Sequence, residues 1–111
     1  QLPTQTQRMN PLLDKILASV EVAFGVSRQA ICGPMRPQYV AEARMAYYLI
    51  ATQETKIPAR QVAGYVRRKR STVNHGAKAM NDIASAYPAI ASKIEHARRL
   101  FRNGMKQHPT A

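Results

Sequence analysis

The middle of the chain carries many basic residues and no acidic ones. Between Glu54 and Asp82 there is no Asp or Glu. The basic residues in this interval are Lys56, Arg60, Arg67, Arg68, Lys69, Arg70 and Lys78. Clustered Lys and Arg side chains can neutralise nucleic-acid phosphates and release their condensed counterions. A basic run is also a common feature of solvated faces and localisation signals, so its placement on structural elements decides between these readings.

The placement favours a helix-turn-helix unit. The run Arg67-Arg68-Lys69-Arg70 interrupts an apolar pattern and is typical of a turn between two helices. Ser71 is a predicted N-cap for the second helix, which should run over about 71–85. In such units the second helix enters the major groove of duplex DNA by its N-terminal end. Small residues, Ala63 and Gly64, are predicted to let the two helices approach closely.

Polar side chains on the first turns of this second helix are candidates for base contacts. Asn74 could pair with adenine through two hydrogen bonds, and Thr72 could offer its hydroxyl to phosphate or its methyl to thymine. Because Thr72 and His75 are three residues apart, they should share a face. We expect these two on the groove side, Arg70 at the rim of the groove and Asn74 toward the DNA backbone.

Apolar residues at three- and four-residue steps predict helices along most of the chain, and no sustained alternation predicts strands. The predicted fold is all-α, with about six helices and a central helix-turn-helix. Residues 10–104 should form the domain, residues 1–9 a flexible arm and residues 105–111 a tail. The predicted helices begin after Asn10, after Ser27, near Gln38, at Pro58, after Ser71 and at Pro88, and Gly104 is the predicted end of the last one.

Composition narrows the function further. The chain has 111 residues with 17 Lys and Arg against six Asp and Glu, a net charge of +11. Such a surplus favours a polyanionic partner, nucleic acid first and an anionic membrane surface second. No apolar run approaches the ~18–20 residues of a membrane span, so we expect no membrane partner and a cytoplasmic, nucleoid-associated location.

The same survey argues against catalysis. The single cysteine, Cys32, belongs to no cluster with zinc-ligand spacing, and no phosphate-binding loop or dinucleotide fingerprint occurs. No paired carboxylates or nucleophile–base set can be assembled. We therefore expect a protein that is not an enzyme and needs no metal or cofactor.

The order of these motifs resembles a known family. From Ile16 to about Ile83 the chain is similar to the C-terminal DNA-binding domain of the bacterial replication initiator DnaA. The similar segments are EARMAYYLI, VAGYV and RRKRSTVNHGAKAM, of which the STV run followed by His75 and Lys78 is the most specific. The resemblance implies a helix-turn-helix fold that binds double-stranded DNA. Carried over by position, it implies DNA contacts by Arg44, Arg68, Ser71, Thr72 and Lys78.

The chain also departs from the family's pattern. Lys69-Arg70 stands where the family has an Asp-His pair. Arg67-Arg68 stands where the family has a Gly-Gly turn, and the turn in this chain is one residue shorter than the family's. These departures remove a carboxylate that could accept a hydrogen bond from cytosine and add an arginine suited to guanine. We therefore do not expect the family's sequence preference to carry over.

Two functions from different classes remain. The first is a double-stranded DNA-binding domain of a transcription regulator or accessory replication factor, bacterial or phage. The alternative is a basic helical adaptor that docks an acidic protein of the replication or transcription machinery through the third or sixth helix, without DNA. Salt-dependent affinity for random duplex DNA favours the first function, and tight binding to one protein without DNA affinity favours the second.

Overall fold

The fold is built from helices throughout the part of the chain that the structure describes. This structure is a computed structural model, and it describes residues 10–34 and 37–106. The helices are α1 (Pro11–Phe24), α2 (Arg28–Cys32), α3 (Gln38–Glu54), α4 (Ala59–Tyr65), α5 (Ser71–Ala86) and α6 (Pro88–Lys106). The predicted all-α fold is confirmed. The predicted arm over residues 1–9 and residues 107–111 of the predicted tail lie outside the described residues.

Local capping explains why the first two helices begin and end where they do. The Asn10 side chain accepts a hydrogen bond from the Leu13 amide at 3.1 Å, and Ser27 does the same for the Ala30 amide at 3.1 Å. Gly25 ends α1 in the left-handed region, with φ 65°, where a residue without a Cβ has no steric penalty. The predicted helix starts after Asn10 and Ser27 are confirmed.

Helix α3 is the centre of the domain because it is buried on most of its sides. It packs against α1 and α5, while α6 lies along α1. The buried residues of α3 are Val40, Ala43, Ala46, Tyr47, Tyr48, Leu49, Ile50 and Ala51. Burying a side chain of Leu or Ile size contributes about 1.5–3 kcal/mol each, so this helix supplies much of the core.

One buried hydrogen bond fixes α4 against this centre. The Tyr47 hydroxyl donates to the Val62 carbonyl over 2.8 Å. Burial raises the pKa of Tyr47 far above its usual value, so the hydroxyl stays protonated and keeps donating. The short helix α4 is thereby held at its middle.

Two predicted helix boundaries are wrong. Arg70, and not Ser71, occupies the N-cap position of α5, and its backbone is already helical at φ −58° and ψ −30°. Ser71 therefore becomes the first helical residue and cannot cap. The last helix does not end at Gly104 but continues through Lys106. Gly104 does not adopt the positive φ by which a glycine ends a helix.

The predicted role of Gly64 in close helix packing is also wrong. A Cβ added at Gly64 would meet nothing within 4 Å, whereas Ala63 beside it is fully buried. The glycine that permits close approach is Gly76 on α5. A Cβ at Gly76 would lie 2.7 Å from Cδ2 of Tyr48, closer than side chains allow. The packing of α5 against Tyr48 of α3 thus depends on the absence of a side chain at Gly76.

These two glycines generate a matched pair of predictions. Gly76→Ala should lower the free energy of unfolding, because overpacking costs about 1–3 kcal/mol and exceeds the roughly 1 kcal/mol that alanine gains in a helix. Gly64→Ala should raise it by about 0.5–1 kcal/mol, because the added methyl enters open space. Urea unfolding of both variants tests this. A stabilised Gly76→Ala variant would contradict the close α3–α5 approach.

Candidate nucleic-acid interface

Helix α4, the turn 66–70 and helix α5 form the helix-turn-helix, and the turn has an uncommon residue at its corner. Arg67 has a φ of 60°, the left-handed conformation that glycine usually occupies after a helix. Its amide donates to the Gly64 carbonyl over 3.0 Å, and the Arg68 amide donates to the Ala63 carbonyl over 2.9 Å. This pair of bonds is the Schellman motif, formed here with an arginine at its left-handed position.

A polar network secures the end of α4 to the first two helices. The Tyr65 hydroxyl donates to the Asp14 carboxylate over 2.8 Å, and Arg28 donates to the same carboxylate oxygen over 2.6 Å. The hydrogen bond from Arg28 holds the pKa of Asp14 below its usual value. Burial and the bond to Asp14 raise the pKa of Tyr65 to about 12, so its hydroxyl remains a donor.

The outward face of α5 is a continuous polar stripe. Ser71, Asn74, His75 and Lys78 are all exposed, and they share one face because an α-helix turns about 100° per residue. Val73, Gly76, Ala77 and Met80 are buried on the opposite face. The stripe therefore presents the side chains of the first two helical turns of α5 to solvent.

Thr72, Asn74 and His75 differ in exposure, and their expected roles toward DNA stay predictions. Asn74 and His75 both lie on the exposed stripe, whereas Thr72 is half-buried at its edge. The Thr72 hydroxyl donates to the Lys69 carbonyl over 2.8 Å and lies 3.3 Å from the Tyr48 hydroxyl. Thr72 thus ties the start of α5 to the turn and to α3.

Six of the predicted DNA-contacting cations are exposed around this stripe. They are Lys56, Arg60, Arg67, Lys69, Arg70 and Lys78. None of them forms an ion pair with a described residue. Five of them lie on α4, the turn or α5, and Lys56 lies in the connection before α4.

The other two predicted arginines have partners inside the domain. Arg44 on α3 is half-buried, and its Nε donates to the Ile31 carbonyl at the end of α2 over 2.8 Å. Arg68 is also half-buried, and its Nη2 donates to the Gly33 carbonyl over 2.7 Å. Neither pairs with Glu42 or Glu54. Whether Arg44 or Arg68 also contacts DNA stays a prediction.

Sequence reasoning missed one residue on the stripe. Asp82 is exposed and lies four residues beyond Lys78 on the same face of α5. Counting from Ser71 at helical spacing would have found it, because residues eleven apart on a helix point in nearly the same direction. Asp82 places a negative charge at the far end of an otherwise polar and basic stripe.

Arginines of α6 serve the fold. The Glu54 carboxylate accepts Arg102 at 2.6 Å and Arg98 at 3.2 Å, and these arginines lower the pKa of Glu54. Arg98 also contacts Gln53. These bonds hold α6 against the end of α3. They also engage two arginines that the adaptor hypothesis would need to bind an acidic protein.

The turn conformation leads to a stability prediction. Arg67→Gly should raise the free energy of unfolding by about 1 kcal/mol, because glycine occupies the left-handed region without steric cost. Arg70→Gly removes the same charge at a helical φ of −58° and should lower it by about 0.5–1 kcal/mol. Chemical denaturation of both variants at one salt concentration compares them. Equal effects would contradict the left-handed corner.

Comparisons with known proteins agree with this architecture. Within residues 10–34 and 37–106, no helix is both long and apolar enough to cross a membrane. Neither a comparison with curated proteins nor one with solved structures gave a match. The family model described as bacterial dnaA protein helix-turn-helix matches residues 13–80, more than half of the chain, from α1 into α5. The chain therefore belongs to the bacterial DnaA helix-turn-helix family of DNA-binding domains.

Proposed function

We propose that this domain binds double-stranded DNA by inserting the N-terminal part of α5 into the major groove while the turn 66–70 contacts phosphates. The observation that carries the proposal is the set of six exposed cations without ion pairs, five of them on the helix-turn-helix whose second helix has an exposed polar face. The domain would serve as the DNA-reading part of a transcription regulator or an accessory replication factor.

The stripe on α5 has the dimensions of a groove-reading surface. From Ser71 to Lys78 it extends roughly 10 Å along the helix, comparable with the ~12 Å width of the major groove. Asn74 and His75 are the side chains best placed to reach base edges. Thr72 supports the reading surface through its bond to the turn, so its hydroxyl is not free to serve phosphate in this conformation.

Asp82 restricts how α5 can dock. If α5 lay along the groove over its whole length, this carboxylate would approach phosphates and be repelled. Entry by the first two turns keeps Asp82 outside the groove, about 6 Å beyond Lys78 along the axis. The charge order on α5 therefore supports end-on insertion.

The protein-adaptor alternative has less support. Eight of the 17 residues of α3 are buried in the core, and its exposed residues lie near its two ends, so its middle offers little surface to a partner. On α6, Arg98 and Arg102 bind Glu54, and Arg99 lies 3.5 Å from Glu95. Five exposed cations without an ion pair lie on α4, the turn and α5, and we infer that a polyanion fits this surface better than a folded acidic protein.

Salt dependence tests the phosphate contacts. With five or six cations at phosphates, log affinity against log salt should have a slope of roughly −4 to −6. Replacing Arg67 and Lys69 together by Ala should make the slope less steep by about 2, because each lost contact removes about 0.9. Fluorescence anisotropy with a random duplex over a salt series measures both slopes.

The control for this experiment is a second double variant with the same loss of charge. Lys15→Ala with Arg99→Ala removes two exposed cations from α1 and α6, away from the proposed interface. Its slope should stay within about 0.5 of the starting value. A slope near zero in the unmodified protein would exclude nucleic-acid binding through this surface.

Base reading by Asn74 generates a separate prediction. After a preferred duplex is selected from random sequences, Asn74→Ala should reduce the preference for it about 5- to 100-fold, because one bidentate base contact discriminates by about 1–3 kcal/mol. Lys69→Ala should weaken binding to preferred and scrambled duplexes equally. Competition binding at fixed salt distinguishes the two. An unchanged preference in Asn74→Ala would mean that another side chain reads the bases.

A further inference from the structure

A single backbone carbonyl lies between two arginines from different elements. The Gly33 carbonyl, just after α2, accepts Nη2 of Arg68 at 2.7 Å and Nη2 of Arg44 at 3.4 Å. Arg44 extends from α3, and Arg68 belongs to the turn of the helix-turn-helix. The end of α2, the central helix and the turn therefore meet at one acceptor.

We propose that Arg68 is a positioning residue, anchored with Arg44 on the C-terminal carbonyls of α2, that holds the turn so that Arg67 and Lys69 reach DNA phosphates. It acts on DNA through these neighbours and not by a phosphate contact of its own. This inference rests on the proposed function, in which the turn contacts DNA.

The hydrogen bonds of Arg68 connect the turn to the end of α2. Its Nη1 lies 3.3 Å from both the Val66 and the Arg67 carbonyls, while its Nη2 reaches Gly33. One rigid planar group thus joins the two residues at the corner of the turn to a helix end 33 or more positions earlier in the chain. A guanidinium committed to three carbonyls has few donors left for phosphate.

Arg44 strengthens the same anchor from the other side. Besides Gly33, its guanidinium bonds to the Ile31 carbonyl at 2.8 Å and the Ala30 carbonyl at 3.4 Å. Carbonyls at a helix C-terminus carry partial negative charge and favour cations. Burial and the nearby Arg68 lower the pKa of Arg44, as expected for two like charges that carbonyls hold together.

The turn needs such an anchor. Arg67 has a left-handed φ of 60°, which is sterically unfavourable for a residue with a Cβ, and four consecutive cations repel one another. Without a hydrogen bond to another element, the turn would lower its free energy by relaxing its backbone and moving its charges apart. The bond to Gly33 opposes this relaxation while leaving the side chains of Arg67 and Lys69 exposed.

A double-mutant cycle on DNA affinity tests the proposal. Arg68→Gln is made in the unmodified protein and in the Arg67→Ala/Lys69→Ala background, and binding to a random duplex is measured at one salt concentration where all four proteins are folded. We expect about a tenfold loss of affinity in the unmodified protein and less than about twofold in the background that lacks the two cations. Equal losses in both backgrounds would overturn the proposal, because a direct phosphate contact acts independently.

Arg68→Lys is the second variant and preserves the charge. A lysine can contact phosphate, but its single ammonium is too compact to replace a fork that spans Gly33 and the turn carbonyls. We expect Arg68→Lys to bind duplex as weakly as Arg68→Gln. Full affinity in Arg68→Lys would overturn the positioning role, and it is informative even if Arg68→Gln unfolds.

Amide chemical shifts in the free protein separate this inference from the proposed function. Arg68→Gln should move the amide signals of Gly33 as well as those of residues 66–70, whereas Lys69→Gln should leave Gly33 unmoved. If the unmodified protein has no salt-dependent duplex affinity, the proposed function fails, and so does a positioning role in DNA binding. If it binds duplex but Gly33 does not respond to Arg68→Gln, only the present inference is overturned.

Discussion

The contact of α5 with α3 at Gly76 is the constraint on which the reading surface depends. The ring of Tyr48 fills the space that a side chain at Gly76 would need. This contact turns the opposite face of α5, from Ser71 to Lys78, toward solvent. The same Tyr48 presents its hydroxyl to Thr72 at the start of α5. One core tyrosine therefore determines both how close the helix lies and where its first turn begins.

The turn between α4 and α5 combines unfavourable backbone geometry with concentrated charge, and its surroundings compensate for both. Tyr47 holds α4 through the Val62 carbonyl, Tyr65 secures its end through Asp14, and Arg68 joins the corner to Gly33. All three contacts use hydrogen bonds to groups outside the helix-turn-helix. The cations at the turn can thus remain exposed because other groups maintain the turn.

Much of the fold and part of the candidate site could be predicted from the sequence, because their causes are local. Asn10, Ser27 and Gly25 cap helices through neighbours within four residues, and the charged run at the turn interrupts the apolar period on its own. Arg68 could not be assigned in this way, because its partner is a backbone carbonyl 35 positions away. A backbone acceptor has no side-chain identity, so no spacing in the sequence indicates it.

The positions of the acidic residues determine where cations are left without an ion pair. Asp14 and Glu21 pair with Arg28, and Glu54 and Glu95 pair with arginines of α6. Four of the six acids in the chain therefore pair with cations away from the turn, whereas α4, the turn and α5 together contain six cations and one acid. The arginine partners lower the pKa values of Asp14 and Glu54, which keeps these carboxylates ionised and paired as the pH falls toward their usual titration range. The cations of α4, the turn and α5 thus have no acidic partner among the described residues, and a positive surface of this kind attracts polyanions.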